Sequence, residues 1–382
     1  MTKTTSVTFA SPTGPAAYTW EATDEEVAAR YGLAIGDVVR FDLNTAPAPP
    51  DLVERLLAAG RFETALSEYP PSDYRRLIAA AAERYGVGTD EVIVGAGADE
   101  VLDVIAKACL PAGSTAVSPV PTYAMYRVLT EQRAAGFVGV PRSAAGAGYA
   151  MDVTTVRNAA REASLVWLCS PNNPTALPEP DGAIANLLAG IADDAASDRR
   201  DPPIVVLDEA YAEFVRGSLV GLRTAHPNLI VVRTASKAYA LAGLRVGFGL
   251  AVPPLIARLN PYRPPGSVST VSVTLVTEAL LDPSVATGNI ARVEAERARL
   301  AAALTAIGWR VGPSVTNFLL VDLGSATRAA AVAEGLLRHG LVPRTFPATH
   351  PLADHLRLTV RSAHEDDRLI SVARAIEGEA RS

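Results

Sequence analysis

The sequence predicts an α/β protein, with a large domain built on a mostly parallel, doubly wound sheet and a smaller α+β C-terminal domain. Three observations predict it. Fully apolar runs recur at Leu165-Val-Trp-Leu-Cys169, Ile204-Val-Val-Leu207 and Leu229-Ile-Val-Val232, as expected of strands covered on both faces. Helical patterns separate the strands, as crossovers between parallel strands require. Beyond Pro264-Pro265-Gly266 the helices lengthen and the strands thin out. The expected division is an N-terminal arm over 1–40, a large domain over 41–265 and a small domain over 266–382.

Composition bounds the function. The chain has 382 residues, 49% hydrophobic and 20% charged, which suits two or three folded domains rather than a disordered chain. A net charge of −6 without a strong basic run argues against nucleic acid as a partner. Cys109 and Cys169 are the two cysteines and form no CxxC pair, so neither a disulfide framework nor a cysteine metal site is expected. The start, Met1-Thr-Lys-Thr-Thr-Ser6, lacks an apolar signal core, and no apolar run is long enough to span a bilayer. A cytoplasmic protein without membrane attachment is expected.

In chain order, residues 1–20 read as an extended arm. Asp24, Glu25 and Glu26 open a short helix to Tyr31. Pro47, Pro49 and Pro50 stop any regular element after Phe41-Asp-Leu-Asn44. Ser72 is the expected cap of a helix ended by Gly86. Strand Glu91–Val94 then enters the turn Gly95-Ala-Gly-Ala-Asp-Glu100 and a helix to Leu110. Backbone N–H groups at such a helix start form an anion site. A third glycine of the dinucleotide fingerprint would fall at Glu100, so a phosphate turn fits better than a nicotinamide one. Strands at 115–118 and 137–140 alternate with helices at 122–133 and 152–162, and a helix over 181–196 follows the Leu165 strand. Helices at 268–281 and 290–307, a strand at 317–321, a helix to His339, a strand at 356–360 and a final helix complete the chain.

The residues with chemistry cluster after strand ends, where open α/β sheets bind ligands. Lys237 lies in a run of small and apolar residues, Arg233 to Gly249. A lysine held in an apolar pocket loses basicity and becomes a nucleophile able to form a Schiff base with a carbonyl compound. Pyridoxal 5'-phosphate (PLP) chemistry further requires a carboxylate for the ring nitrogen, donors for the ring oxygen, a stacking aromatic and a phosphate cup. Asp208, Tyr211, Asn173, Tyr123, the Gly95–Asp99 turn, Ser236 and Arg245 could supply these. Each has a bland reading alone, such as a solvated strand-end Asp or a packing Tyr. Together at one sheet edge they favour the functional one.

The motifs Gly95-Ala-Gly-Ala-Asp-Glu100, Pro121-Thr-Tyr123, Ser170-Pro-Asn-Asn-Pro-Thr175, Asp208-Glu-Ala-Tyr211, Thr234-Ala-Ser-Lys237 and Gly243-Leu-Arg245, with Arg357 in Leu356-Arg-Leu-Thr-Val360, resemble a fold-type I PLP-dependent aminotransferase. The resemblance runs from about residue 40 to the C-terminus and is strongest to the histidinol-phosphate aminotransferases. It implies an aspartate aminotransferase-like large domain that binds PLP. By position, Lys237 resembles the cofactor lysine and proton shuttle, and Asp208 the partner of the pyridine nitrogen. Tyr211 and Asn173 resemble the ring-oxygen donors, and Tyr123 the stacking ring. Ala98, Asp99, Thr234, Ser236 and Arg245 resemble the phosphate cup. Tyr69 resembles a tyrosine reaching the partner subunit's phosphate, which implies a homodimer with shared sites. Arg357 resembles the arginine that grips a substrate α-carboxylate. Arg344, thirteen residues earlier, resembles one that contacts a substrate phosphate, against the reading of a surface arginine. Tyr18 resembles a pocket tyrosine.

Four departures bear on the substrate. Ala176 replaces the usual glycine after Asn-Pro-Thr, so a positive φ there would be strained. Ala46 stands where the family often has asparagine. Arg361 replaces a small residue, either as a third cation near the substrate or as a solvent-facing one. Tyr18-Thr-Trp-Glu21 differs from the usual N-terminal motif. The expected reaction exchanges an amino group between glutamate/2-oxoglutarate and histidinol phosphate or its keto counterpart. The alternatives are an aminotransferase for an aromatic or specialised substrate, or a PLP-dependent phospho-amino-acid decarboxylase. His350, His355 and His364 are expected on the surface or in loops, with no metal site.

Overall fold

The computed structural model describes residues 17–215 and 217–379. Residues 1–16 of the expected arm lie outside them. The described chain runs through α1 (Asp24–Tyr31), β1 (Val39–Arg40), α2 (Asp51–Ala59), α3 (Arg75–Tyr85), β2 (Val92–Gly95), α4 (Gly97–Cys109), β3 (Thr115–Val120), α5 (Met125–Gln132) and β4 (Gly136–Pro141). It continues through α6 (Val153–Ala160), β5 (Leu165–Cys169), α7 (Ala183–Ser197), β6 (Ile204–Asp208), β7 (Leu229–Thr234), β8 (Gly247–Leu250) and α8 (Pro253–Leu259). The remainder is α9 (Thr270–Leu281), α10 (Pro283–Ala306), β9 (Arg310–Val311), β10 (Phe318–Asp322), α11 (Ala326–Leu337), β11 (Leu341–Val342), β12 (His355–Thr359) and α12 (Ala363–Glu379).

Seven strands form the central sheet in the order β2-β8-β7-β6-β5-β3-β4. All pairings are parallel except those of β8, which is antiparallel to both neighbours. Alternate residues of the central strands feed two cores, one on each face. Val166, Leu168, Val205, Leu207 and Val231 face the core shared with α3, α7 and α9. Trp167, Val206, Ile230 and Val232 face the core shared with α4, α5 and α8. This double coverage is why the strands read as unbroken apolar runs. A third core joins α10, α11 and α12 to the sheet β12-β10-β9. Val39 and Phe41 belong to that third core, and β1 pairs with β11 in parallel. The N-terminal segment is thereby bound to the C-terminal part of the chain. Among the described residues no helix is long and apolar enough to cross a membrane.

Several sequence expectations are corrected. Ser72 does not cap α3; the cap position is Tyr74, whose φ of 46° turns the chain and which makes no side-chain cap bond. Its buried hydroxyl instead accepts from the Val268 N–H at 3.1 Å. The second long helix begins at Pro283 rather than Ile290, because Asp282 caps it through Ser284 N and proline suits the first helical turn. The proline run does not suppress helix formation, since α2 starts directly after Pro50. The strand β8 was not anticipated, because its glycines mask the strand pattern.

Those glycines have a physical reason. A Cβ on Gly247 would lie 2.3 Å from Ala98 N and 2.6 Å from Gly97 O. The first turn of α4 therefore rests directly on β8, which fixes where its N–H groups point. Ala176 does take a positive φ, 64°, a strain of about 1–2 kcal/mol for a non-glycine residue. Its N–H donates to Asn172 O and its carbonyl accepts from Val315 N, which holds it there. Gly247→Ala is expected to destabilise the protein by about 1–3 kcal/mol, because backbone must move to admit the methyl. Thermal unfolding of the variant checks this.

Candidate active site

The carboxyl ends of β2, β5, β6 and β7 open onto one cavity of about 620 Å³. Tyr18, Ala98, Asp99, Tyr123, Asn173, Asp208, Tyr211, Thr234, Ser236, Lys237, Arg245 and Arg357 all line it. The strand ends of the large sheet bring Ala98 to Arg245 together, while Tyr18 and Asn44 meet Arg357, more than three hundred residues away, because the N-terminal segment is bonded to β12. Tyr69 and Arg344 do not line it.

Lys237 follows β7 in an irregular turn. Its Nζ donates to Asn44 O at 3.1 Å and lies 5.7 Å from the Tyr211 ring centroid. Among the described residues no ion pair holds it. Burial, and then the Arg357 charge, lower its pKa to about 8, so a neutral amine is within reach near neutral pH. Asp208, at the end of β6, is 4% exposed. Its Oδ2 accepts from Tyr126 OH at 2.8 Å and its Oδ1 from Ala210 N at 3.0 Å. Burial raises its pKa to about 6 despite these two donors. Tyr126 is itself fully buried and stacked on Trp167 at 5.4 Å.

Tyr211 accepts a hydrogen bond from Asn44 Nδ2 at 2.9 Å. Asn173 uses its carbonyl oxygen to accept from Arg357 Nη1 at 2.6 Å. Arg357 is buried, donates its other terminal nitrogen to Asp42 O, and leaves Nε buried without a partner. Tyr123 donates to Asp99 Oδ1 at 2.9 Å, and Arg245 donates to Asp99 Oδ2 at 3.1 Å. The first turn of α4 has no side-chain cap, so its N–H groups remain open to an anion. Ser236 and Thr234 hydroxyls lie together at 2.9 Å beside it.

The outlying residues are informative. Arg344 donates to Thr19 O at 2.8 Å, lies 3.7 Å from Glu21 and stacks on Tyr18 at 5.4 Å. Its backbone pairs with that of Arg357, so it stands one layer behind the pocket wall rather than on open surface. Arg361 is neither a pocket cation nor solvent-facing: Glu365 holds it at 2.7 Å and its side chain is 12% exposed. Tyr69 is 91% exposed. His355 is not a surface histidine; it is buried in β12 with Asp354 at 2.5 Å. Asp322, Asp354 and His355 bring ligand atoms within 4.8 Å of one another, but Arg310 engages both oxygens of Asp322.

Sequence reasoning missed Asn44, Tyr126 and Trp20. Asn44 carries a φ of 54°, which asparagine tolerates better than most residues; it places a pocket amide two residues before Ala46. Tyr126, in α5, lies three residues past Tyr123, and the two rings meet edge-on at 5.7 Å.

A family model, "Aminotransferase class I and II", matches residues 32–376. The chain belongs to the class I and II aminotransferases. It is 34% identical over 361 residues to a histidinol-phosphate aminotransferase of Roseiflexus castenholzii, covering 92% of this chain and 93% of that one. It is 35% identical over 353 residues to one of Symbiobacterium thermophilum, covering 91% and 92%. The solved histidinol-phosphate aminotransferase of Sinorhizobium meliloti, in complex with pyridoxal-5'-phosphate, superposes with a TM-score of 0.84 at 24% identity, over 95% and 96% of the chains. Aminotransferases of this class work with PLP, and the pocket of this one fits it: a half-buried amine with no ion pair among the described residues, a buried carboxylate, and an uncapped helix start beside two hydroxyls and an arginine.

Asp208 supplies a test that needs no substrate. Its carboxyl is protonated in both folded and unfolded chains below about pH 4 and ionised in both above about pH 6; between these, stability falls with rising pH by about 3 kcal/mol in total. Asp208→Asn in cofactor-free protein is therefore expected to be more stable than the parent at pH 7.5. The gain disappears near pH 4, and melting curves at the two pH values check it.

Proposed function

We propose that this aminotransferase exchanges the amino group of glutamate with the keto counterpart of histidinol phosphate, a step of histidine biosynthesis. One observation carries the reading: Arg357 lines the pocket and Arg344, one layer behind it, is joined to it backbone to backbone, while the buried Arg357 Nε has no partner among the described residues. Such a pair suits substrates that present a carboxylate in one half-reaction and a phosphate in the other. The curated relatives of that name, matched over nearly their full length, support it.

When bound, PLP supplies the electron sink that makes the substrate Cα–H bond labile. Asp208 would hold the ring nitrogen, Tyr211 and Asn173 the ring oxygen, and Tyr123 would stack on the ring. The α4 N–H groups of Ala98 and Asp99, with Thr234, Ser236 and Arg245, would hold the phosphate. Lys237, neutral above its depressed pKa of about 8, takes the proton from Cα and returns it as general acid. Arg357 grips the α-carboxylate of glutamate, and Arg344 faces the substrate phosphate once it exchanges its contact with Glu21.

The active unit we propose is a cytoplasmic homodimer. Tyr69 and Leu66, 91% and 67% exposed, would meet the partner, with Tyr69 reaching the partner's phosphate cup. Both cysteines are free, which suits a reducing compartment. We retain domain boundaries near residues 40 and 265 as part of the same proposal, with α9 packed on α3 across the second.

Mixing the holoenzyme with glutamate and, separately, with histidinol phosphate tests the reading. Both should convert the cofactor to its amine form. Release of carbon dioxide from a phosphorylated amino acid, without that form, would instead mark a decarboxylase. Arg344→Ala is expected to raise KM for histidinol phosphate at least about tenfold while leaving KM for glutamate within about twofold, as for loss of one charged contact. Equal effects on both substrates would count against the role of Arg344.

A further inference from the structure

Lys237 is held from two sides. On the side-chain side its Nζ meets Asn44 O. On the main-chain side its carbonyl accepts from Asn289 Nδ2 at 3.2 Å, and the next carbonyl, Ala238 O, accepts from the same nitrogen at 3.0 Å. Asn289 lies two turns into α10, outside the residues that line the active-site cavity. Its Oδ1 accepts from Arg292 Nη2 at 3.1 Å and Nε at 3.3 Å. Arg292 Nη1 then donates to Arg361 O at 2.7 Å. Arg361 stands four residues beyond Arg357, just past the end of β12, and its N–H is held by both oxygens of buried Asp366 at 3.2 Å.

This makes an unbroken chain of hydrogen bonds from the Lys237 peptide to the end of the strand that carries Arg357. The turn around Lys237 is held partly by its own backbone, with Ala240 N donating to Lys237 O at 3.1 Å and Leu241 N to Ala235 O at 3.2 Å. It follows the last residue of β7, belongs to no helix, and Ala240 within it has a φ of 57°. Ala238 and Tyr239 pack into the core, but a cavity of about 440 Å³ lies against Ala240, Asn289 and Arg292. On that side the Asn289 amide nitrogen adds a hold by donating to two carbonyls. A side-chain amide is the group that can donate to two carbonyls while accepting a guanidinium.

We infer that Asn289 is a positioning residue for Lys237, and that Arg292 extends its hold to the strand bearing Arg357, so that amine and substrate-gripping arginine keep a fixed separation. The inference rests on the assignment of Lys237 as the reacting amine. Arg361 takes part through its backbone carbonyl, which receives Arg292, while Glu365 holds its side chain at 2.7 Å; nothing in the structure explains why an arginine stands there.

The test is competitive acetylation of the full-length, cofactor-free chain with acetic anhydride across pH, read at the Lys237 peptide by mass spectrometry. Asn289→Ala should let the turn relax and expose the amine, moving its midpoint upward from about 8 toward the ordinary lysine value by roughly half a unit or more. Arg292→Met should move it the same way by less. In the holoenzyme, Asn289→Ala should lower kcat about tenfold with KM for glutamate within about twofold, and the pH midpoint of the cofactor's absorbance should shift with it. Asn289→Asp keeps the size and the acceptor for Arg292 but turns an oxygen toward the two carbonyls, so it should behave like Asn289→Ala. It is read in its place if the alanine variant does not fold. An unchanged Lys237 labelling profile in these folded variants overturns the inference. Failure of the functional reading would be distinct: histidinol phosphate would then leave the cofactor unchanged in the parent enzyme, with the labelling profiles unaffected.

Discussion

The Lys237 amine sits half-buried in the pocket, donating to main-chain carbonyls, and among the described residues no carboxylate comes within ion-pair distance of it. Burying a cation in that way is unfavourable, and the chain's answer is to lower the amine's basicity rather than to neutralise it with a partner. Much of the architecture follows from keeping that arrangement intact. The carbonyl that receives Nζ belongs to Asn44, whose left-handed backbone is pinned by Asn317 at 2.9 Å and by Thr359. The N-terminal segment that supplies Asn44 is anchored by β1 to the C-terminal sheet. The pocket is therefore closed by segments from opposite ends of the chain.

A second buried charge, Asp208, lies in the same cavity with its basicity shifted the other way. Neither residue is placed for the stability of the cofactor-free protein. A carboxylate at 4% exposure with two donors is still under-solvated, and the lysine is under-solvated too. Under the proposed function both would become useful, Asp208 as the partner of the cofactor's ring nitrogen and Lys237 as the amine that receives its carbonyl. Local destabilisation at a site where function requires it is a common pattern. The rigid surroundings, Trp167 stacked on Tyr126 and β8 pressed on α4, hold these groups in place.

Much of this was legible in the sequence because parallel strands buried on both faces leave unbroken apolar runs, and their ends mark the ligand edge. Asp208, Asn173 and Lys237 were read as candidates that way, and the structure brings the three to one pocket. What the sequence concealed had identifiable causes. β8 reads as Gly-Phe-Gly-Leu because α4 comes within contact of its backbone, so the residues that make the strand fit are those that hide it. Tyr126 acts through Asp208, and nothing local distinguishes it from a packing tyrosine. Arg361 was open to two readings, a third cation near the substrate or a solvent-facing one; its partner Glu365 lies four residues on, but only the fold brings Arg292 to its backbone. His355 alternates inward on β12, where a loop was expected.

The central claim is that Lys237 is the residue to which the cofactor is attached. Borohydride reduction of the holoenzyme, followed by digestion and mass spectrometry, tests it most directly. The account predicts a single phosphopyridoxyl mass increment on the peptide containing Lys237, and none in Lys237→Ala. A label on any other lysine, or persistence of the label in Lys237→Ala, would contradict it.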